Sequence, residues 1–141
     1  SSSWAMIDLK TRKPEILRQF LGVEHVMAEK PSLVEGTEKV SPLGPEIAEQ
    51  RDYRVVYSDL DILRHVNSIR YIQWIMDFFP LALFESKRVS RLDLNYMAET
   101  VFGEELEFQK EEREAGKEYL IGINRKGEEK VPVCRGRVLW E

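Results

Sequence analysis

Apolar and polar residues alternate over the last third of the chain, as is typical of β-strands. The alternation predicts four strands, at residues 90–98, around 106–108, at 119–123 and at 131–140. On the last strand Cys134, Val138 and Trp140 share one face, which we expect to be buried. A fifth strand is predicted earlier, at residues 53–58. The second half of the chain is therefore predicted to be mainly an antiparallel sheet.

Between the fifth strand and the other four, the spacing of apolar residues becomes that of a helix. Asn67 and Ser68 are both good N-cap residues and mark its start, whereas Pro80 limits or kinks it. Its polar residues fall within about 60° of one another on a helical wheel, so most sides of the helix are apolar. These polar residues are Arg70, Gln73 and Asp77. One long central helix wrapped by an antiparallel sheet predicts an α+β protein with the hotdog fold.

The first 50 residues carry a weaker pattern. An apolar stretch at residues 4–9 predicts a strand, and Pro14 to Gly22 predicts a short helix with proline in its first turn. From residue 28 to residue 50, prolines and glycines interrupt any periodicity, which predicts an irregular connection over the surface. We therefore divide the chain into residues 1–22, a linker at 23–50 and a hotdog domain at 51–141.

Composition narrows the class of protein. The chain has 141 residues, of which 43% are hydrophobic, and this length allows one core that buries about two-thirds of the unfolded surface. Its formal charge of −4 argues against nucleic-acid binding through overall basicity, so we expect no nucleic-acid partner. The single Cys134 excludes an intrachain disulfide and a multi-cysteine zinc site. With only His25 and His65, a histidine-rich metal cluster is not expected either.

The sequence also bears on location. No apolar run approaches the roughly 18 residues of a membrane span, and the first residues lack the pattern of a signal peptide. We therefore expect a cytoplasmic protein without a membrane span. The chain begins at Ser1 rather than Met, so its first residue marks a processing site, a cloning boundary or a cut through a longer protein.

Residues 57–74 read YSDLDILRHVNSIRYIQW. This segment closely resembles the acyl-acyl-carrier-protein thioesterase family, whose C-terminal hotdog carries a D-x-D-x-N-x-H-V-N-N/S-x-x-Y-I signature. Residues 95–100, NYMAET, resemble a later block of the family that contains a catalytic glutamate. Residues 4–14 resemble the last strand of the family's first hotdog and the start of the connection between the two hotdogs. The chain thus resembles the second half of a tandem protein.

The resemblance implies hydrolysis of a fatty acyl thioester on acyl carrier protein, without a cofactor, in fatty acid biosynthesis. By resemblance, Glu99 is the base that activates water. Asp61 and His65 lie four residues apart in a turn leading into the helix, so the Asp61 carboxylate could orient the imidazole or bind the water, as in a general acid–base relay. The alternatives are a solvated Glu99, an Asp61 that caps its own turn and a structural His65. The start of the predicted helix offers free amides for the thioester carbonyl, which assigns substrate binding to residues 66–68, namely Val66, Asn67 and Ser68.

Leu63 is the main departure from the signature, because the family has asparagine there and leucine cannot make a hydrogen bond with its side chain. We expect Leu63→Asn to raise activity. A second hypothesis follows from the same residue, in which the hotdog binds acyl carrier protein, an acyl chain or a partner hotdog without hydrolysis. Thr100 replaces the cysteine of some family members, and Asp59-Leu60-Asp61 does not fit a calcium loop, so no metal site is predicted.

Two expectations concern partners. Basic residues near the site in sequence could form a rim for an acidic carrier protein, or else an ordinary solvated face. They are Arg64, Arg70, Lys87, Arg88 and Arg91. A lone second hotdog would expose the sheet edge and face that meet its neighbour in the tandem protein, so we expect a homodimer or pairing with the missing N-terminal hotdog.

Overall fold

The computed structural model describes residues 6–7, 14–15 and 38–141, and the chain forms two compact units, Ser1–Glu38 and Lys39–Glu141. In the first unit, strand β1 (Met6–Ile7) pairs antiparallel with strand β2 (Pro14–Glu15). The predicted helical first turn at Pro14 is therefore wrong. A residue before proline favours extended backbone, and proline itself is tolerated in a short edge strand. The remainder of that predicted helix, and the ends of the predicted strand at 4–9, lie outside the described residues.

The second unit contains one antiparallel sheet of five strands in the order β3-β5-β6-β7-β4. The strands are β3 (Glu49–Arg54), β4 (Val89–Tyr96), β5 (Glu105–Glu114), β6 (Glu118–Arg125) and β7 (Val131–Trp140). The last four confirm the predicted strands. The fifth is displaced from its predicted position at 53–58, because the Asp59 carboxylate accepts the Val56 amide at 2.9 Å and bends residues 57–59 into a 3-10 turn.

Two short helices replace the single long one that the sequence predicts. Helix α1 (Ser68–Met76) begins as expected, since Asn67 is its N-cap and accepts the Ile69 amide at 3.0 Å. It ends at Met76, and helix α2 (Leu81–Ser86) starts after Pro80. Among the described residues no helix is long and apolar enough to cross a bilayer.

Helix α1 packs closely against the sheet at Gly136. A Cβ atom on Gly136 would lie 2.7 Å from Ile75 Cδ1, a separation that real side chains do not adopt. Ile75 is completely buried, and Trp74 beside it packs against the rings of Tyr53 and Phe108 at centroid distances of 4.9 and 5.4 Å. The helix thus buries one face against the sheet, whereas Ile69 in its first turn is 55% exposed, so the prediction that most of its sides are covered is wrong. The fold is the expected hotdog.

The described end of the linker, residues 38–48, has no helix or strand and crosses the opposite face of the sheet. The Val40 amide donates to Asn95 Oδ1 at 2.6 Å, and the Gly44 amide donates to the buried Glu111 carboxylate. A Cβ on Gly122 would meet Leu43 at 3.1 Å. Gly122 and Gly136 lie on alternate faces of the sheet, so Leu43 and α1 pack on opposite sides.

Candidate active site

The residues before α1 form a closed turn between Asp61 and His65. The Asp61 amide donates to the His65 carbonyl at 2.8 Å, and Asp61 Oδ1 accepts the amides of Leu63 and His65 at 2.8 and 3.2 Å. Arg64 adopts a φ of 63° within this turn, a conformation that non-glycine residues adopt rarely. The Asp61 carboxylate therefore shapes the turn that presents His65.

Asp59 anchors this turn to the core. Its carboxylate is 2% exposed and accepts the Tyr53 hydroxyl at 2.8 Å, while Arg70 Nε lies 3.3 Å away. Its backbone carbonyl accepts the Asn67 amide at 2.9 Å. A buried carboxylate held by several donors fixes the backbone around it, so Asp59 sets the position at which α1 begins.

Glu99 lies on the loop that follows β4, which we call the acid loop and define as residues 97–104. The Thr100 carbonyl accepts the Val66 amide at 2.8 Å, and His65 forms a β-bridge with Val101. The backbone carbonyl of Glu99 accepts a hydrogen bond from Arg125 Nη2. The acid loop and the His65 turn are therefore joined by main-chain contacts at the two residues directly after Glu99.

Both segments border one cleft of about 290 Å³ that opens to solvent. Its walls are formed by His65, Val66, Ser68, Tyr71, Tyr96, Met97, Ala98 and Glu99. In this cleft His65 Nε2 lies 3.6 Å from Glu99 Oε2, and the two side chains are 33% and 57% exposed. An imidazole and a carboxylate thus face each other at the edge of a largely apolar cleft.

The first turn of α1 adds a hydrogen-bond donor to the same cleft. The amides of Val66, Asn67 and Ile69 donate to Thr100 O, Asp59 O and Asn67 Oδ1 respectively. Within the described part of the chain, the Ser68 amide has no such acceptor. Because Ser68 borders the cleft and begins α1, its amide can donate to an anionic oxygen there.

The structure therefore brings together four of the six residues that the sequence assigns to the site: His65, Glu99, Val66 and Ser68. Asp61 and Asn67 do not line the cleft, and their side chains cap the turn and the helix instead. The backbone explains both differences, since each side chain accepts amides of its own segment. The sequence analysis did not assign Tyr71 and Tyr96 to the site, although both lie within the two motif segments.

Residues 45–141 match the family of acyl-ACP thioesterase C-terminal domains. The chain belongs to this family. It is 34% identical over 105 residues to the chloroplastic palmitoyl-acyl carrier protein thioesterase of Gossypium hirsutum, an alignment that covers 70% of this chain and 25% of the relative. It is also 34% identical to the crystal structure of an acyl-ACP thioesterase from Bacteroides thetaiotaomicron, with a TM-score of 0.77 over 96% of this chain and 53% of that one.

A 12:0-ACP thioesterase from Umbellularia californica has the same fold, with a TM-score of 0.80 and 21% identity over 96% of this chain and 52% of that one. The chain therefore spans about half the length of these solved relatives and a quarter of the Gossypium hirsutum relative.

Two residues that the sequence singles out do not line the cleft. Cys134 is completely buried, and burial raises the pKa of its thiol to about 12, so it is not a thiolate nucleophile at neutral pH. Leu63 is 71% exposed in the turn and does not border the cleft.

The prediction of a basic rim around the site is wrong for three of the five residues assigned to it. Lys87, Arg88 and Arg91 lie at the start of β4, whereas the cleft is at its other end beside Tyr96. They are also engaged locally, by Gly116 O, Glu141 and Asp93 respectively. A strand of eight residues separates its ends by about 25 Å, which the sequence order alone did not take into account.

The two tyrosines of the cleft keep their hydroxyl protons. Burial is the main cause that raises the pKa of both Tyr71 and Tyr96 above that of free tyrosine. Both hydroxyls are therefore hydrogen-bond donors over the physiological pH range.

Proposed function

We propose that this chain is the C-terminal half of an acyl-ACP thioesterase and that its cleft hydrolyses a fatty acyl thioester to the free fatty acid. The observation that carries the proposal is the shared cleft, in which His65 and Glu99 face each other 3.6 Å apart beside the Ser68 amide. Thioester hydrolysis requires a base for water and a donor for the developing oxyanion, and the cleft offers both. The acyl-ACP thioesterases to which the chain is similar support the same reaction class.

In the proposed reaction, Glu99 removes a proton from water while the water oxygen attacks the thioester carbonyl carbon. The carbonyl oxygen becomes negative, and the Ser68 amide at the positive end of the α1 dipole donates to it. The carbonyl then re-forms as the carbon–sulfur bond breaks, and the departing thiolate takes the proton from Glu99, which returns to the carboxylate. His65 also orients the Glu99 carboxylate, since the two groups are close enough to interact electrostatically.

The walls of the cleft support an acyl thioester as the substrate. Val66, Met97 and Ala98 present apolar surface, and the rings of Tyr71 and Tyr96 complete it. Apolar walls with a few polar groups at one end suit a chain whose reactive group is polar. We propose acyl carrier protein as the partner that delivers the acyl chain, because the relatives are acyl-ACP thioesterases.

Release of free thiol from purified acyl-ACP tests this function. Palmitoyl-ACP and dodecanoyl-ACP are compared with the matching acyl-CoA and with an oxygen ester of the same acid. We expect thiol release from the thioesters, faster with the carrier protein than with CoA, and no cleavage of the oxygen ester. Equal rates on ACP and CoA would contradict recognition of the carrier, and absence of release from every thioester would contradict the enzyme.

Binding without hydrolysis is the second candidate function, and Leu63 is the observation that favours it. Its side chain offers no hydrogen bond where the family has asparagine. In this case the chain binds acyl-ACP or a partner hotdog, and binding is measured without any release of thiol.

Leu63→Asn is expected to raise turnover of acyl-ACP, but by less than the about 10²-fold to 10³-fold that one preorganised polar group supplies in a catalytic site, because residue 63 is 71% exposed and does not border the cleft. Leu81→Asn is the matched control, since Leu81 is also an exposed leucine, at 72%, and receives the same new amide on α2 rather than in the turn. A rate that does not rise, or that rises equally in both variants, would contradict a role for residue 63.

We also propose that the hotdog unit associates with a second hotdog, either another copy or a separate N-terminal half. Large apolar side chains are exposed near the cleft, among them Tyr57 at 83%, Ile62 at 97% and Phe102 at 62%. Their segments are joined, since the Gly103 amide donates to the Val55 carbonyl at 3.0 Å. Exposed apolar surface of this kind marks interaction sites in soluble proteins.

Sedimentation equilibrium at micromolar concentration is expected to give a mass above the 16.5 kDa of one chain. Ile62→Asp should shift the mass towards 16.5 kDa, because a buried unpaired carboxylate is costly in an interface. Leu81→Asp is the control, since Leu81 is 72% exposed on α2. This helix packs on Trp140, the last residue of β7, at the end of the sheet away from the cleft. A 16.5 kDa species for the unmodified chain would contradict self-association and leave pairing with the N-terminal half.

A further inference from the structure

Two tyrosine hydroxyls connect α1 with β4 and the acid loop. One hydrogen bond is donated by α1 and the other is donated to α1. Tyr71, in the first turns of α1, donates to Thr100 Oγ1 on the acid loop at 3.0 Å. Tyr96, the last residue of β4, donates to the Ser68 carbonyl in the first turn of α1 at 3.0 Å. Their rings meet edge to face with centroids 5.4 Å apart. Each half of the cleft is thus held by a side chain from the other half.

We propose that Tyr71 and Tyr96 are positioning residues that fix the distance between the Ser68 amide and the Glu99 carboxylate. This inference rests on the proposed hydrolysis. Neither tyrosine is assigned a chemical step, since each acts through a neighbour, Tyr71 through Thr100 and Tyr96 through the backbone of Ser68.

The surroundings of the two hydroxyls favour this role. Tyr71 is 3% exposed and Thr100 is 1% exposed, so their hydrogen bond is shielded from water and holds the acid loop firmly. Tyr96 is half exposed, but its ring borders the cleft beside Ser68. The raised pKa values keep both phenols protonated, which both hydrogen bonds require.

The expected consequence is a loss in kcat rather than in substrate affinity. A donor displaced by a fraction of an ångström still tolerates the bound thioester, but it stabilises the oxyanion less well, and a misplacement of about 1 Å can cost about 10²-fold. We expect about a 10-fold loss in kcat for Tyr96→Phe and for Tyr71→Phe, with KM changed by less than about twofold. Because both bonds fix one distance, the double variant should lose less than the product of the single losses.

The experiment measures kcat and KM on palmitoyl-ACP or dodecanoyl-ACP for both single variants, the double variant and Tyr119→Phe. Tyr119 is the matched control, since its hydroxyl donates to Glu112 Oε1 at 3.0 Å on the β5–β6 hairpin, away from the cleft. Hydrogen exchange of the Ile69 amide is measured in parallel, and it should be faster in Tyr96→Phe. If Tyr71→Phe does not fold, Tyr96→Phe carries the test, because its side chain is half exposed.

Kinetics equal to those of Tyr119→Phe would overturn the proposal, and so would a change confined to KM, which would make the tyrosines substrate contacts. Glu99→Gln in the same assay separates this inference from the function on which it rests. Loss of turnover in Glu99→Gln with unchanged tyrosine variants overturns only the positioning role. Full turnover in Glu99→Gln overturns the proposed site itself.

Discussion

Glu99→Gln is expected to lower kcat on acyl-ACP by about 10³-fold, within the range that general bases contribute. The amide keeps the size and shape of the side chain but cannot accept a proton from water. The backbone of Glu99 is fixed by Arg125 and by the hydrogen bond of Thr100, so the variant should keep the geometry of the acid loop. Affinity for acyl-ACP should therefore change little.

Glu105→Gln is the matched control for this prediction. Glu105 follows the acid loop, is 54% exposed and forms only a long ion pair of 3.6 Å with Arg54. It should keep the turnover of the unmodified chain. Equal turnover in Glu99→Gln would contradict the assignment of the base, and equal losses in both variants would point to a general effect of charge.

Asp59→Ala is expected to destabilise the hotdog unit by about 3 kcal/mol, measured as the free energy of unfolding in denaturant. The substitution leaves the Tyr53 hydroxyl and the Val56 amide without their acceptor and removes the partner of Arg70. Arg70 is partly exposed, and water can replace part of its ion pair. We therefore expect a loss of stability near the lower end of the range for breaking a buried ion pair, about 3 to 5 kcal/mol.

Asp52→Ala provides the control for stability. Asp52 forms an ion pair with Lys126 at 2.5 Å, but its side chain is 58% exposed, and exposed pairs contribute at most about 1 kcal/mol. Similar losses for the two variants would contradict the anchoring role of Asp59. The Asp59 variant should also lose turnover, because the turn that presents His65 and the first turn of α1 depend on this carboxylate.

The sheet could be predicted from the sequence because four strands alternate apolar and polar residues and end at clear turns. The residue at which α1 ends could not be predicted from the sequence. Phe78 and Phe79 continue the apolar pattern, but their amides donate to carbonyls three residues back, at 3.3 and 3.0 Å. This tighter turn buries both rings, one against Phe108 and the other against Trp140. Tertiary packing therefore shortened a helix that periodicity extends to Pro80.

The make-up of the cleft was predictable where the motif residue contributes its side chain, as for His65 and Glu99, which both line it. The make-up of the cleft was not predictable where backbone hydrogen bonds decide which group of a residue faces it. Asp61, Asn67 and Ser68 all belong to the same motif, yet the first two side chains accept local amides, and Ser68 offers its own amide to the cleft. Which amide stays available depends on acceptors such as Thr100, which lies far along the chain.

Hydrolysis of acyl-ACP in ¹⁸O-labelled water under single-turnover conditions tests the central claim most directly. If Glu99 activates water, the fatty acid released in the first turnover carries one labelled oxygen, and the peptide that contains Glu99 keeps its mass. Label in the Glu99 carboxylate after one turnover would instead show that Glu99 attacks the thioester itself. Failure to release any acid while acyl-ACP still binds would contradict hydrolysis altogether.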